Sequence, residues 1–123
     1  MLEPEILKSD LHLKGWGSEN WIANNDRYCL KILKFDKAAE FSMHYHIIKD
    51  ETWYVYSGTL LLEYFDLSNA KRQSLKLMPG SIVRIPPNTP HKLIALTNAE
   101  IFEVSTQHFE TDSYRIEQGC REK

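Results

Sequence analysis

The regular interruption of its apolar runs is what most constrains this chain. Short runs rich in Val, Ile, Leu, Tyr, Phe and Trp recur between turn signals spaced about eight to twelve residues apart. No segment keeps a helical apolar period beyond about two turns. The pattern predicts an all-β sandwich or barrel, with strands expected at 28–35, 40–46, 51–56, 59–65, 73–77, 81–85, 91–96 and 100–106. Ser57-Gly58, Ser68-Asn69 and Pro79-Gly80 punctuate them. Pro86-Pro87-Asn88-Thr89-Pro90 cannot continue a ladder, because three of its five residues lack a backbone N–H. Strands this closely connected predict two facing sheets closing on themselves, with interior room for side chains or one small ligand.

The 123 residues suit a single domain over 1–123, with the barrel at about 26–106 and a polar tail at 107–123. That tail reads equally as a short strand, a turn of helix or an irregular end. Fifteen Lys and Arg against seventeen Asp and Glu leave a net charge of −2. That balance supplies no basic patch for nucleic acid and no polybasic membrane anchor. The apolar runs fall far short of the ~20 residues a membrane helix needs. Met1-Leu2-Glu3-Pro4 is acidic where a signal peptide would be basic and then apolar. Cys29 and Cys120 lie far apart and form no C-x-x-C pair, so a reduced, cytoplasmic protein is expected.

The chemistry concentrates in His44-Tyr45-His46-Ile47-Ile48-Lys49-Asp50-Glu51. Residues two apart on a strand point to one side, so His44 and His46 project together. Glu51 opens the next strand and faces them across a short hairpin, and His91 opens another strand beyond the proline-rich turn. An isolated H-x-H pair is more often two partly exposed side chains than a metal site. Three imidazoles and a carboxylate brought together suit one divalent transition metal such as Zn, Mn, Fe, Ni or Co. On a metal that accepts six ligands, four protein ligands would leave two positions for water or substrate.

The spacing adds to this. Six residues separate Glu51 from Gly58, five separate Gly80 from Pro86, and His91 closes that second segment. The two segments resemble the paired motifs of the cupin superfamily, G-x5-H-x-H-x3–4-E-x6-G and G-x5-P-x-G-x2-H-x3-N. The resemblance implies a cupin-type jelly-roll β-barrel with His44, His46, Glu51 and His91 as metal ligands. Three positions depart from the pattern without removing a ligand: Ala38 for the leading Gly, Asn88 for the inner Gly and Ala95 for the final Asn. Asn tolerates the left-handed conformation that the inner Gly provides.

A narrower likeness runs through Trp16-Gly17-Ser18, Tyr28, Lys31, Glu51-Thr52-Trp53, Ser57-Gly58-Thr59, Ile85-Pro86-Pro87, Glu103-Val104, Glu110, Asp112 and Arg115. These resemble the cupin domain of type II mannose-6-phosphate isomerases, in which Gln commonly stands at the place of His44. The likeness implies a metal-dependent aldose–ketose isomerase acting on a sugar or sugar phosphate, and a homodimer. Such a reaction needs a Lewis acid, a base that moves a proton between adjacent carbons and, for a phosphorylated substrate, a cationic anchor. Glu103 is the candidate base, against a solvated residue on an outward face. Lys31, Arg84, Lys92 and Arg115 are candidate anchors, against ordinary surface charges. Trp53 shares the inward parity of Glu51 and either stacks on a sugar ring or fills the core. Tyr54 and Tyr56 face outward and suit a subunit interface. His108 reads as a tail residue. Two other classes fit the same ligand set: a metal-dependent dioxygenase, and a non-catalytic cupin that binds carbohydrate or another small ligand.

Overall fold

The computed structural model describes residues 3–117. Regular structure among them is entirely β: β1 (Asp10–Lys14), β2 (Gly17–Asn24), β3 (Cys29–Phe35), β4 (Met43–Tyr45), β5 (Glu51–Ser57), β6 (Leu60–Asp66), β7 (Lys71–Leu77), β8 (Ile82–Ile85), β9 (His91–Ala95), β10 (Ala99–Ser105) and β11 (Tyr114–Glu117). One sheet has six strands in the order β1-β2-β3-β10-β5-β8, the other five in the order β11-β4-β9-β6-β7. Neighbouring strands are antiparallel throughout. The sheets pack face to face, as expected for a jelly roll, and each keeps two edge strands. Edge strand β7 carries Lys71, Arg72 and Lys76 and is exposed until Leu77, a composition that discourages pairing with another chain. No helix among the described residues is long and apolar enough to cross a membrane.

All eight expected strands form, and three more join them. β1 and β2 extend the larger sheet beyond β3. Their alternation is weak because β2 is half-buried along nearly its whole length and β1 is mostly exposed. The polar tail contributes β11, which pairs with β4, so the open reading of that segment resolves to a strand. Residues 118–123, with Cys120, lie outside the described residues. Cys29 is a buried free thiol.

Alternation governs the interior. Cys29, Lys31, Leu33 and Phe35 of β3 point inward, as do Glu51, Trp53 and Val55 of β5. Register aligns Leu33, Ile101 and Val55 into one inward row across β3, β10 and β5. Leu60, Leu62 and Leu93 of the second sheet complete this core. Each such aliphatic side chain contributes roughly 1.5–3 kcal/mol on burial. The adjacent inward row is Lys31, Glu103 and Trp53, and there the interior turns polar.

The departures from the motif have backbone consequences. Asn88 adopts φ 70°, the left-handed conformation expected of it, and its N–H donates to the His46 carbonyl at 2.6 Å. Ala38, where the motif has its leading Gly, is also left-handed at φ 70°. That conformation costs a non-glycine residue roughly 1–2 kcal/mol. Gly58 is irreplaceable on two grounds: its φ is 82°, and an added Cβ would lie 2.2 Å from the Asn98 carbonyl oxygen.

Candidate metal centre

The three histidines converge from the smaller sheet. His44 on β4 is the register partner of His91 at the start of β9. His46 follows β4 directly. One ligand atom from each lies within 4.8 Å of the others. Each ring is oriented by a carbonyl that accepts from Nδ1–H: Ser42 for His44 at 2.7 Å, Asp112 for His46 at 2.6 Å and Thr89 for His91 at 2.8 Å. A carbonyl can only accept, so the proton sits on Nδ1 and each Nε2 keeps its lone pair. This is the tautomer a metal-binding imidazole needs.

Glu51 comes from the larger sheet. Its Oε1 accepts from the Trp53 indole N–H at 2.8 Å. Its Oε2 lies 3.4 Å from His46 Nε2 and 3.7 Å from His91 Nε2, buried and without a hydrogen-bond partner. An orphaned buried carboxylate oxygen beside three bare imidazole nitrogens fits a divalent cation. The electrostatics agree. Burial holds His44 down to about 4, assisted by His46, and holds His91 well below its ordinary value, assisted by His44. His46 is lowered by burial and by Lys49. All three are therefore neutral at neutral pH, as ligands must be. Glu51 is pushed up to about 8, by burial and then by the Glu103 carboxylate.

A cavity of about 640 Å³ opens beside these groups. Glu103 lies on its wall, buried rather than solvated on an outward face. The Lys49 ammonium donates to Glu103 Oε2 at 3.0 Å, and both side chains are buried. Burial alone would raise Glu103, but Lys49 and Lys31 hold it at about 2. Lys31 is buried too. Its Nζ meets Glu19 Oε1 at 3.1 Å and lies 4.5 Å from the centre of the Trp21 ring. The whole lining carries four basic side chains, Lys14, Lys31, Lys49 and Arg115, and four acidic ones, Glu19, Glu51, Glu103 and Glu110.

The other expected site residues divide. Arg115, the register partner of His44, lines the cavity. Trp53 also lines it but is 1% exposed, with its ring steeply inclined to His91 at 5.5 Å, so it supports Glu51 and offers no open face for stacking. Arg84 and Lys92, the other expected anchors, do not line this cavity. Arg84 makes a two-pronged exposed ion pair with Asp50. Lys92 alternates with inward-facing His91 and Leu93 and bonds Glu40 on the opposite face of the sheet. His108 faces the cavity instead of trailing away in the tail: it packs edge-on to Trp21, and its buried Nδ1 has no partner. Burial, then Lys49 and Lys31, hold it at about 3.

Glu19 and Trp21 were not singled out in the sequence, Lys49 was read only as part of the ligand segment, and Asp112 only through the family likeness, with no role for either. Glu19 and Trp21 sit on a strand with little alternation. Lys49 falls inside the spacer between two ligands, where a lysine reads as a turn residue. Asp112 is one acid in a polar stretch.

Residues 31–105 match the Cupin domain family. No curated protein matches the chain. Among solved structures, oxalate decarboxylase from Bacillus subtilis at pH 4.6 superposes with a TM-score of 0.79 at 16% identity, over 88% of this chain and 30% of that one. A structure reported for the Mn(II) centres of the same Bacillus subtilis enzyme gives 0.78 at 16% identity, over 88% and 30%. CapF with the inhibitor 3-isopropenyl-tropolone gives 0.78 at 18% identity, over 89% and 34%. This chain thus spans about a third of the length of these proteins, and at such identities the likeness concerns the fold. The family match, the two-sheet jelly roll and a histidine cluster suited to a divalent transition metal together place the chain in the cupin superfamily.

Proposed function

We propose that the chain is a metal-dependent enzyme acting on a sugar or sugar phosphate, with aldose–ketose isomerisation as the reaction, similar to that of mannose-6-phosphate isomerases. One observation carries this reading: a single cavity holds a metal-binding histidine cluster and a buried carboxylate–ammonium pair, Glu103 and Lys49. Glu51 is the fourth protein ligand in this reading. A bound metal would supply Lewis-acid stabilisation of two adjacent substrate oxygens. Glu103 takes the proton from one carbon and returns it to its neighbour, while Lys49 exchanges a proton with the oxygens whose roles are swapped. Donors and acceptors together on the wall suit hydroxyl groups, and Arg115 and Lys31, with Lys14 on the same lining, are candidate cations for an anionic end.

A specific observation favours a second reading. With Glu103 held at about 2, its proton affinity is low, which suits a fixed charge in a non-catalytic carbohydrate-binding cupin. Solvent-deuterium exchange decides between them. Metal-loaded wild type incubated with candidate aldoses in D2O should place deuterium at the carbon next to the carbonyl, and Glu103→Gln should stop this while keeping the metal. Binding without exchange supports the second reading. Oxygen uptake coupled to substrate loss would make the protein a dioxygenase. Elemental analysis beside His91→Ala checks the centre itself, since metal retained by that variant would sink it.

The same reading takes residues 1–123 as one cytoplasmic domain that pairs with a second copy. The support for pairing is an outward row that crosses the whole larger sheet, Leu11, Asn20, Ile32, Phe102, Tyr54 and Ile82, in continuous register. Tyr56 stacks on Phe102 beside this row at 5.3 Å. Aromatic and apolar side chains exposed together are enriched at interfaces. Tyr54→Lys should shift sedimentation from dimer to monomer.

A further inference from the structure

His44 and His91 are each oriented by a carbonyl two residues away in sequence, Ser42 and Thr89. His46 differs, because the carbonyl that accepts from its Nδ1–H belongs to Asp112, 66 residues further along. The same residue also grips the segment after His46. Asp112 Oδ1 accepts from the Ile47 N–H at 2.9 Å and the Ile48 N–H at 3.1 Å, and Oδ2 accepts from the Ile48 N–H at 3.2 Å and the Lys49 N–H at 3.0 Å. Asp112 is buried, and its own N–H donates to the Phe109 carbonyl at 3.0 Å, which fixes its approach. β11 begins two residues later and lies against β4, the strand that delivers His44.

We propose that Asp112 is a positioning residue for the metal centre, aiming the His46 ring with its carbonyl and fixing the backbone of 47–49 with its carboxylate. Ile47 and Ile48 offer no side-chain hydrogen bond, so the carboxylate on their N–H groups is what defines the path from His46 to Lys49. One residue thereby sets both a metal-binding imidazole and the ammonium that meets Glu103. The inference rests on the metal reading above. Partners that orient a metal-binding histidine typically govern affinity, and losing one costs about 10–100-fold.

Cobalt(II) titration followed by visible absorption tests this on wild type and Asp112→Asn, with thermal melting of both in the metal-free state. Asn keeps the backbone carbonyl and one acceptor but sets an NH2 donor against an N–H. The expected result is a folded variant whose cobalt dissociation constant rises about 10–100-fold, with an altered d–d spectrum. A folded variant with wild-type affinity and spectrum would overturn the proposal and reduce Asp112 to a tether for the C-terminal strand. Should Asp112→Asn not fold, Asp112→Glu, which keeps the charge and adds one methylene, is judged by the same criteria. The imidazole 15N spectrum of the metal-free protein gives a reading independent of the metal. A His46 Nδ1–H signal weakened in the variant supports the proposal, and an unchanged one counts against it. Wild type that binds no cobalt would instead overturn the metal centre, and the positioning role with it.

Discussion

At the base of the barrel, Leu33, Val55 and Ile101 meet Leu60, Leu62 and Leu93, and nothing polar interrupts the contact. Two residues along the same strands, the inward positions belong to Lys31, Trp53 and Glu103. Both ends obey one alternation, yet they are stabilised differently. The base gains from removing apolar surface from water. The mouth contains buried charges whose desolvation is offset only by their mutual pairing, Lys49 with Glu103 and Lys31 with Glu19. Such pairs add little net stability over apolar residues of equal volume, and breaking one strands a buried charge. Inward parity therefore says where a side chain points but not what it contributes. The mouth is held in place by the base beneath it.

The largest effect expected from this contrast is at the mouth. Lys49→Met leaves Glu103 buried and unpaired and should cost about 3–5 kcal/mol in denaturant unfolding. Lys49→Met combined with Glu103→Leu should recover most of that loss and abolish deuterium exchange. A double variant as unstable as the single one would break the account of the pair. At the base, Leu93→Ala should cost about 2–5 kcal/mol, with cobalt affinity unchanged at temperatures where the variant stays folded. Affinity falling in step with stability would mean that the two ends do not act separately.

Acidification sharpens the comparison. The imidazoles at the mouth are neutral in the folded state and held below 6.5, with His44 at about 4. As pH falls from about 6.5 towards 4 the unfolded chain takes up protons that the folded chain refuses, so the metal-free protein loses stability across that window. The share from His44 alone is roughly 3 kcal/mol. Melting midpoints of metal-free protein measured across this range should fall, and a flat profile would contradict the buried neutral cluster. The smallest effect belongs to the base end, where the Ala38 N–H bonds the Ala95 carbonyl. Ala38→Gly relieves the left-handed strain at a cost in unfolded-chain entropy and should raise stability by less than about 1 kcal/mol. A lowered midpoint would show that no strain is stored there.

Much of this was legible in the sequence because strand alternation and short spacers already bring the histidines and Glu51 together. His44 and His46 lie two apart, Glu51 waits across one hairpin, and His91 follows a turn that cannot be anything else. Asn88 announced its backbone conformation through its side chain. The eight barrel strands were legible for the same reason. What escaped depends on contacts between distant segments. β2 pairs on both edges, but its residues are half-buried on both faces, so no period betrays it. Lys31 shares parity with Cys29, Leu33 and Phe35, a signal that it points inward, but its partner Glu19 sits on that unreadable strand. Lys92 and Arg84 read in the sequence as cations just as Lys31 does, and only the facing sheet separates a cavity wall from an outer surface. Asp112 was legible as part of a family likeness but not in its role, because its acceptors serve donors far away in sequence.

The distant grip on His46 also has a consequence in time. As a ribosome releases this chain, all three imidazoles emerge well before Asp112, while the last strand is still inside the exit tunnel. The His46 ring therefore emerges long before its partner, which follows 66 residues later, whereas His44 and His91 each have theirs two residues away. Assembly of the histidine cluster is in this sense a late event in biogenesis, coupled to the arrival of Asp112 and not to the first appearance of the histidines.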